Sequence, residues 1–157
     1  MNGRMNEGPR EIRLRGRLVN SLYTEAMLLA DEARGYFEHQ GRDDRTLLDP
    51  LARVTLSCES LKVTTRLMHV LAWLLTERAI ELGQMSDEEA AASARRLGDA
   101  APSDAASLAG LPAPAIALVE ASQDLYARVR RLEVDAPAEA AAVSPALSLL
   151  DRLERAF

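Results

Sequence analysis

The sequence predicts an all-α protein: a three-helix bundle with one long central helix, a short accessory helix and a flexible C-terminal tail. Three observations predict this. The stretch 50–82, PLARVTLSCESLKVTTRLMHVLAWLLTERAIEL, contains no Gly and no Pro after its first residue. Its apolar residues recur at spacings of three and four, the period of an α-helix, without the strict alternation of a strand. Hydrophobic residues make up 48% of the chain but aromatic residues only 4%. The core is therefore built from Leu, Val, Ala and Met, which suits packed helices better than a sandwich of strands.

The length of 157 residues fits one domain with tails. We expect a flexible basic arm over residues 1–17, where Arg4, Arg10, Arg13, Arg15 and Arg17 are interrupted by Gly3, Gly8, Pro9 and Gly16. The bundle is expected over residues 18–133, and a linker with a short amphipathic tail helix over residues 134–157. The first helix runs from Val19 to Phe37, with Asn20 or Ser21 as alternative caps. Val19, Leu22, Ala26, Leu29, Ala33 and Phe37 form its apolar stripe, widened by Tyr23, Met27, Ala30 and Tyr36. Gln40 to Asp44 reads as a turn, and Arg45 to Leu48 as either a separate helical turn or a prelude to the long helix.

Asp49-Pro50 starts that helix: Asp can cap the free amides, and Pro costs nothing in the first turn. Gly83 ends it. At about 1.5 Å per residue it spans roughly 50 Å. Two stripes run along it. Leu51, Val54, Leu61, Met68, Leu71, Leu75, Ala79 and Leu82 trace one; Leu56, Val63, Leu67, Val70 and Leu74 trace the other. A helix apolar on two sides is covered on two sides, so a homodimer is expected. Between the stripes, Glu59, Lys62 and Arg66 share a face. They read as an ion pair on the surface, as one that fixes bundle register, or as a partner-binding patch.

Ser86 and Glu89 form a capping box for a short, Ala-rich helix over Met85 to Leu97, and Asp99 to Leu111 reads as a linker. A further helix runs from Pro112 to Glu133. Its Ile116, Val119, Gln123, Tyr126 and Val129 stripe, beside Leu118, Ser122, Leu125 and Leu132, closes the bundle. Ser144-Pro145 restarts a helix whose Leu147, Leu150, Leu153 and Phe157 make a narrow apolar face. A tethered amphipathic helix suits a partner's groove, or docks on its own bundle.

Several function classes are disfavoured. A net charge of −5 argues against nucleic acid as the main partner. The most apolar window, Met68 to Leu75, is far shorter than the roughly 20 residues of a membrane span. One Cys rules out an internal disulfide and a Cys-based zinc site. The only histidines, His39 and His69, are preceded three residues earlier by Tyr36 and Arg66, so the Glu-x-x-His pairs of a di-iron bundle are absent. Cys58 and His69 lie roughly 16 Å apart on one helix, too far for joint catalysis; Cys58 reads as a small buried hydrophobe and His69 as a polar edge residue. No phosphate loop is seen. The expectation is no enzyme, no cofactor and no metal. The first residues lack the apolar segment of a signal peptide, which with the single Cys suggests the cytoplasm.

The run Leu56-Ser57-Cys58-Glu59-Ser60-Leu61-Lys62-Val63-Thr64-Thr65-Arg66-Leu67-Met68, followed by Val70 and Ala72-Trp73-Leu74-Leu75, resembles the signature of the alphaproteobacterial RcdA-like family, the regulators of CtrA degradation. The likeness extends back over the preceding helix and its Gly41-Arg42-Asp43 turn and fades after Gly83. It implies a homodimer of three-helix bundles with a flexible tail, acting as a proteolysis adaptor. It further implies protein partners: the ClpX unfoldase of the ClpXP protease or its priming factors, a second adaptor, and transcription-regulator substrates of the cell cycle. It admits residence at the cell pole. The alternative reading is a non-proteolytic dimeric scaffold, or a modulator of a transcription regulator.

Overall fold

The computed structural model describes residues 8–86, 88–89 and 96–134, and every element among them is helical. Five helices follow one another: α1 (Gly8–Glu38), α2 (Gln40–Thr46), α3 (Pro50–Glu81), α4 (Ala105–Leu108) and α5 (Ala113–Val134). The bundle is α1, α3 and α5, each packed on the other two. The tail face of Leu147, Leu150, Leu153 and Phe157 and most of the Met85 to Leu97 helix lie outside the described residues.

Helix α1 begins at Gly8, so most of the stretch read as a basic arm is helical, and neither Asn20 nor Ser21 is a cap. Local signals and tertiary contacts both favour this. Pro9 and Glu11 occupy the first turn, where a missing N–H is harmless and a negative charge meets the positive helix end. Further on, the chain is drawn onto the C-terminal end of α3. Arg15 pairs with Glu77 at 3.2 Å, Gly16 is buried beside Glu81, and the Arg78 guanidinium lies 4.5 Å from the Tyr23 ring centre. These contacts also fix α1 antiparallel to α3.

The expected turn at Gln40 to Asp44 is a two-turn helix, α2. Its tightness depends on Gly41, whose absent Cβ would stand 2.9 Å from the Tyr36 carbonyl oxygen. The Tyr36 hydroxyl donates to Asp44 at 2.9 Å, tying α1 to α2. The Arg53 side chain closes the other end, donating to the carbonyls of Arg45, Thr46 and Leu48 at 3.1, 3.2 and 2.9 Å. Carbonyls at the end of one helix thus find a donor from the next helix.

Helix α3 has the expected ends. Asp49 caps it, accepting from the Ala52 amide at 2.8 Å, and Gly83 takes a positive φ of 69° just past its end. The Ser86–Glu89 capping box is formed in both directions.

The segment read as a linker is part of the packed structure. Leu108 and Leu111 are buried and α4 lies within it; Leu97, expected to end the preceding helix, is buried just before it outside any helix. Gly98 sits against the His69 ring and its carbonyl accepts from the Tyr126 hydroxyl at 2.7 Å. Arg66 bonds Ser122 on one side and Ala101 and Ser103 on the other. Residues 97–111 therefore run back along the groove between α3 and α5, which lets α5 lie parallel to α3. Helix α5 closes the bundle with Val119, Leu125 and Val129 fully buried, and its Arg128 pairs with Glu25 of α1.

Candidate functional site

The long helix α3 presents two opposite faces, and each holds one candidate. The inner face carries Leu56, Val63, Leu67, Val70, Trp73 and Leu74 into the core. Among them sit two charged residues, Glu59 and Arg66, each only 2% exposed. A buried charge is stable only when its polar atoms are satisfied, and these are. Arg66 donates to the Ser122 hydroxyl at 3.2 Å, the Ala101 carbonyl at 2.8 Å and the Ser103 hydroxyl at 2.7 Å. Ser103 in turn donates to Glu59, bridging the two charges. Lys62 reaches in from the surface to pair with Glu59 at 2.8 Å, with 29% of its side chain exposed. Burial holds the Arg66 guanidinium below its ordinary range, and the neighbouring Glu59 carboxylate opposes that shift.

Of the three residues that share this face in the sequence, only Lys62 is therefore available to a partner. Glu59 and Arg66 are enclosed by residues 97–111 and α5, and what they do there is join three segments distant in the chain. The residue that sequence reasoning missed is Ser103, which touches both charges. It lies in a stretch of Ala, Ser, Asp and Pro whose composition signals only loop. The one clue was the charges themselves, which on a helix this apolar needed a polar cover.

The outer face is the first of the two stripes, except for Leu71, which is half-buried against the core. Leu51, Val54, Leu61, Met68, Leu75 and Leu82 are exposed by 77%, 60%, 67%, 66%, 47% and 64%. Cys58, expected to be buried, lies on this face and is exposed. Thr65 and Ala72 lie there too, so no charged side chain interrupts the stripe from Leu51 to Leu82. In a chain with 27% charged residues, an unbroken uncharged face of this length is the candidate interaction surface.

Among the described residues no cluster of His, Cys, Asp and Glu could hold a metal ion, and no helix is long and apolar enough to cross a membrane.

A profile of the family described as "Protein of unknown function (DUF1465)" matches residues 11–157. Among solved structures, the chain is similar to RcdA from Caulobacter crescentus CB15. The two share 34% identity at a TM-score of 0.61, over 74% of this chain and 88% of that one. No curated protein matches.

Proposed function

The chain belongs to the DUF1465 family of RcdA-like proteins, and from that premise we propose that it is a non-enzymatic adaptor acting through protein–protein contacts. It brings cell-cycle transcription regulators to the ClpXP protease, engaging ClpX or its priming factors and a second adaptor. It works as a homodimer in the cytoplasm. The observation that carries the reading is the uncharged outer face of α3, exposed from Leu51 to Leu82 except at the half-buried Ala79. A surface of that kind is built for a protein partner rather than for a small substrate. The tail face of Leu147, Leu150, Leu153 and Phe157 and the exposed head of Lys62 supply further contacts.

The test is the degradation rate of a candidate regulator by purified ClpXP and its priming factors, with and without this protein. A parallel reaction uses a truncation ending at Glu133. Acceleration by the full chain alone supports an adaptor whose tail makes an essential contact. Acceleration by both places the contact on the bundle. Binding to a regulator with no change in its half-life, across several candidates, replaces the adaptor with a non-proteolytic scaffold.

A further inference from the structure

The outer face of α3 has a size pattern that selects its occupant. Numbered as heptads from Leu51, one set of seam positions holds Leu51, Cys58, Thr65, Ala72 and Ala79. The other holds Val54, Leu61, Met68, Leu75 and Leu82. After Leu51 the first set is small throughout; the second is large throughout. The seam faces away from the bundle, and all ten residues but the half-buried Ala79 are exposed. A strict seven-residue repeat on the solvent side is the pattern of a helix that packs on another helix. The core of a single chain has no use for it, because α3 fills that core with its opposite face.

We infer that the occupant is α3 of a second copy, laid antiparallel, with the two-fold axis passing between Arg66 and Leu67. In antiparallel pairing each residue of the small set faces one of the large set. Placing the axis there uses the whole seam: Leu51 faces Leu82 of the second copy, Val54 faces Ala79, Cys58 faces Leu75, Leu61 faces Ala72 and Thr65 faces Met68. Large side chains meet small ones in every layer but the outermost, which fills space evenly and draws the helix axes toward the lower end of the usual range of about 8–10 Å. A parallel pair would set Cys58, Thr65, Ala72 and Ala79 each against itself, leaving voids, and would crowd the large layers between them. The flanks agree with the antiparallel pairing. Lys62 faces His69 and Arg78 faces Ser57, so no acidic residue meets another and no lysine or arginine meets its like. The interface is isologous, as a two-fold dimer requires.

This inference rests on the homodimer in the proposed function and specifies its geometry. The chain's single cysteine provides the test. In the proposed pairing the two Cys58 residues lie 17 positions apart along the seam, roughly 25 Å, whereas a disulfide needs Cα atoms within about 7 Å. Under a mild copper–phenanthroline oxidant the wild-type dimer should form no cross-link. Leu75→Cys should give a covalent dimer through Cys58 and the new cysteine, and Leu82→Cys, a heptad away from Cys58, should not. Leu61→Glu, on a side chain that is 67% exposed in the single chain, should turn the dimer into a monomer by light scattering with unchanged far-ultraviolet dichroism. A wild-type cross-link through Cys58 would overturn the antiparallel arrangement. A cross-link at Leu82→Cys in place of Leu75→Cys would overturn the position of the axis. A dimer untouched by Leu61→Glu would overturn the interface while leaving the homodimer standing; a monomeric wild type would remove both. None of these outcomes depends on whether degradation is accelerated.

Discussion

Replacing Arg66 by Met tests whether the inner charges hold the bundle together. Met keeps the length and most of the apolar stem but removes the guanidinium. Three hydrogen bonds are lost, to Ser122, Ala101 and Ser103. Bonds from a charged donor contribute about 1.5–3 kcal/mol each, but the loss is offset because a guanidinium no longer has to be stripped of water. Breaking one partner out of a buried ionic group typically costs about 3–5 kcal/mol. Glu59 keeps Lys62 at 2.8 Å and the Ser103 hydroxyl, which places Arg66→Met at the lower end, about 3 kcal/mol. For a chain of this length that lowers Tm by roughly 6–12 °C. The assay is thermal unfolding followed by far-ultraviolet dichroism at neutral pH and one fixed protein concentration, since the Tm of the proposed dimer would depend on concentration. A double-mutant cycle with Glu59→Gln should give a coupling of about 1 kcal/mol or more, because Ser103 links the two side chains. An Arg66→Met protein within about 1 kcal/mol of wild type, with an additive cycle, would refute the structural role.

Three further outcomes follow from single contacts. Burial first, then the hydrogen bond to Asp44 and its charge, push the Tyr36 hydroxyl from its ordinary 10.0 up to about 12. The folded protein thus favours the neutral phenol. Its contribution is complete below pH 10 and is lost as pH rises through 12. Tyr36→Phe should flatten that alkaline loss in a urea titration, and an unchanged slope between pH 10 and 12 would count against it. Gly41→Ala sets a methyl group 2.9 Å from the Tyr36 carbonyl oxygen, a backbone atom that cannot swing aside; it should destabilise by about 1–3 kcal/mol in the same titration. Asp49→Ala removes the cap on the Ala52 amide and should cost about 1 kcal/mol, read as a lower urea midpoint at constant slope.

The parts of the fold legible in the sequence were those with local causes. The ends of helix α3 are legible because Asp49, Pro50 and Gly83 act through the backbone next to them. Where tertiary contacts decide, local reading stopped short. Residues 8–17 look like a broken arm until Glu77 and Glu81 are placed beside Arg15 and Gly16. Residues 99–111 look like a linker because their anchors, Leu108 and Leu111, are too sparse to give a period. The burial of Glu59 and Arg66 was hidden for the same reason, since the cover over them comes from Ala101, Ser103 and Ser122. Spacing puts Cys58 on the outer stripe, seven residues after Leu51 and three before Leu61, but its exposure is not legible because nothing local says which of the two stripes the bundle covers.

The two faces of α3 should respond differently to substitution, and that difference is the sharpest consequence of the architecture. Leu61→Glu and Arg66→Met lie five residues apart on the same helix. One changes a side chain that the single chain leaves in water; the other changes one that it encloses. If the outer face serves assembly and the inner face serves the fold, Leu61→Glu should abolish the dimer while a strongly diluted sample, already dissociated, melts as wild type does. Arg66→Met should melt early at every dilution, yet dimerise normally below its own transition. Paired dilution series of Tm and of mass by light scattering separate the two. Were both variants to lose mass and stability together, α3 could not have one face for each role. The uncharged stripe would then be a second wall of the core rather than a surface held ready for a partner.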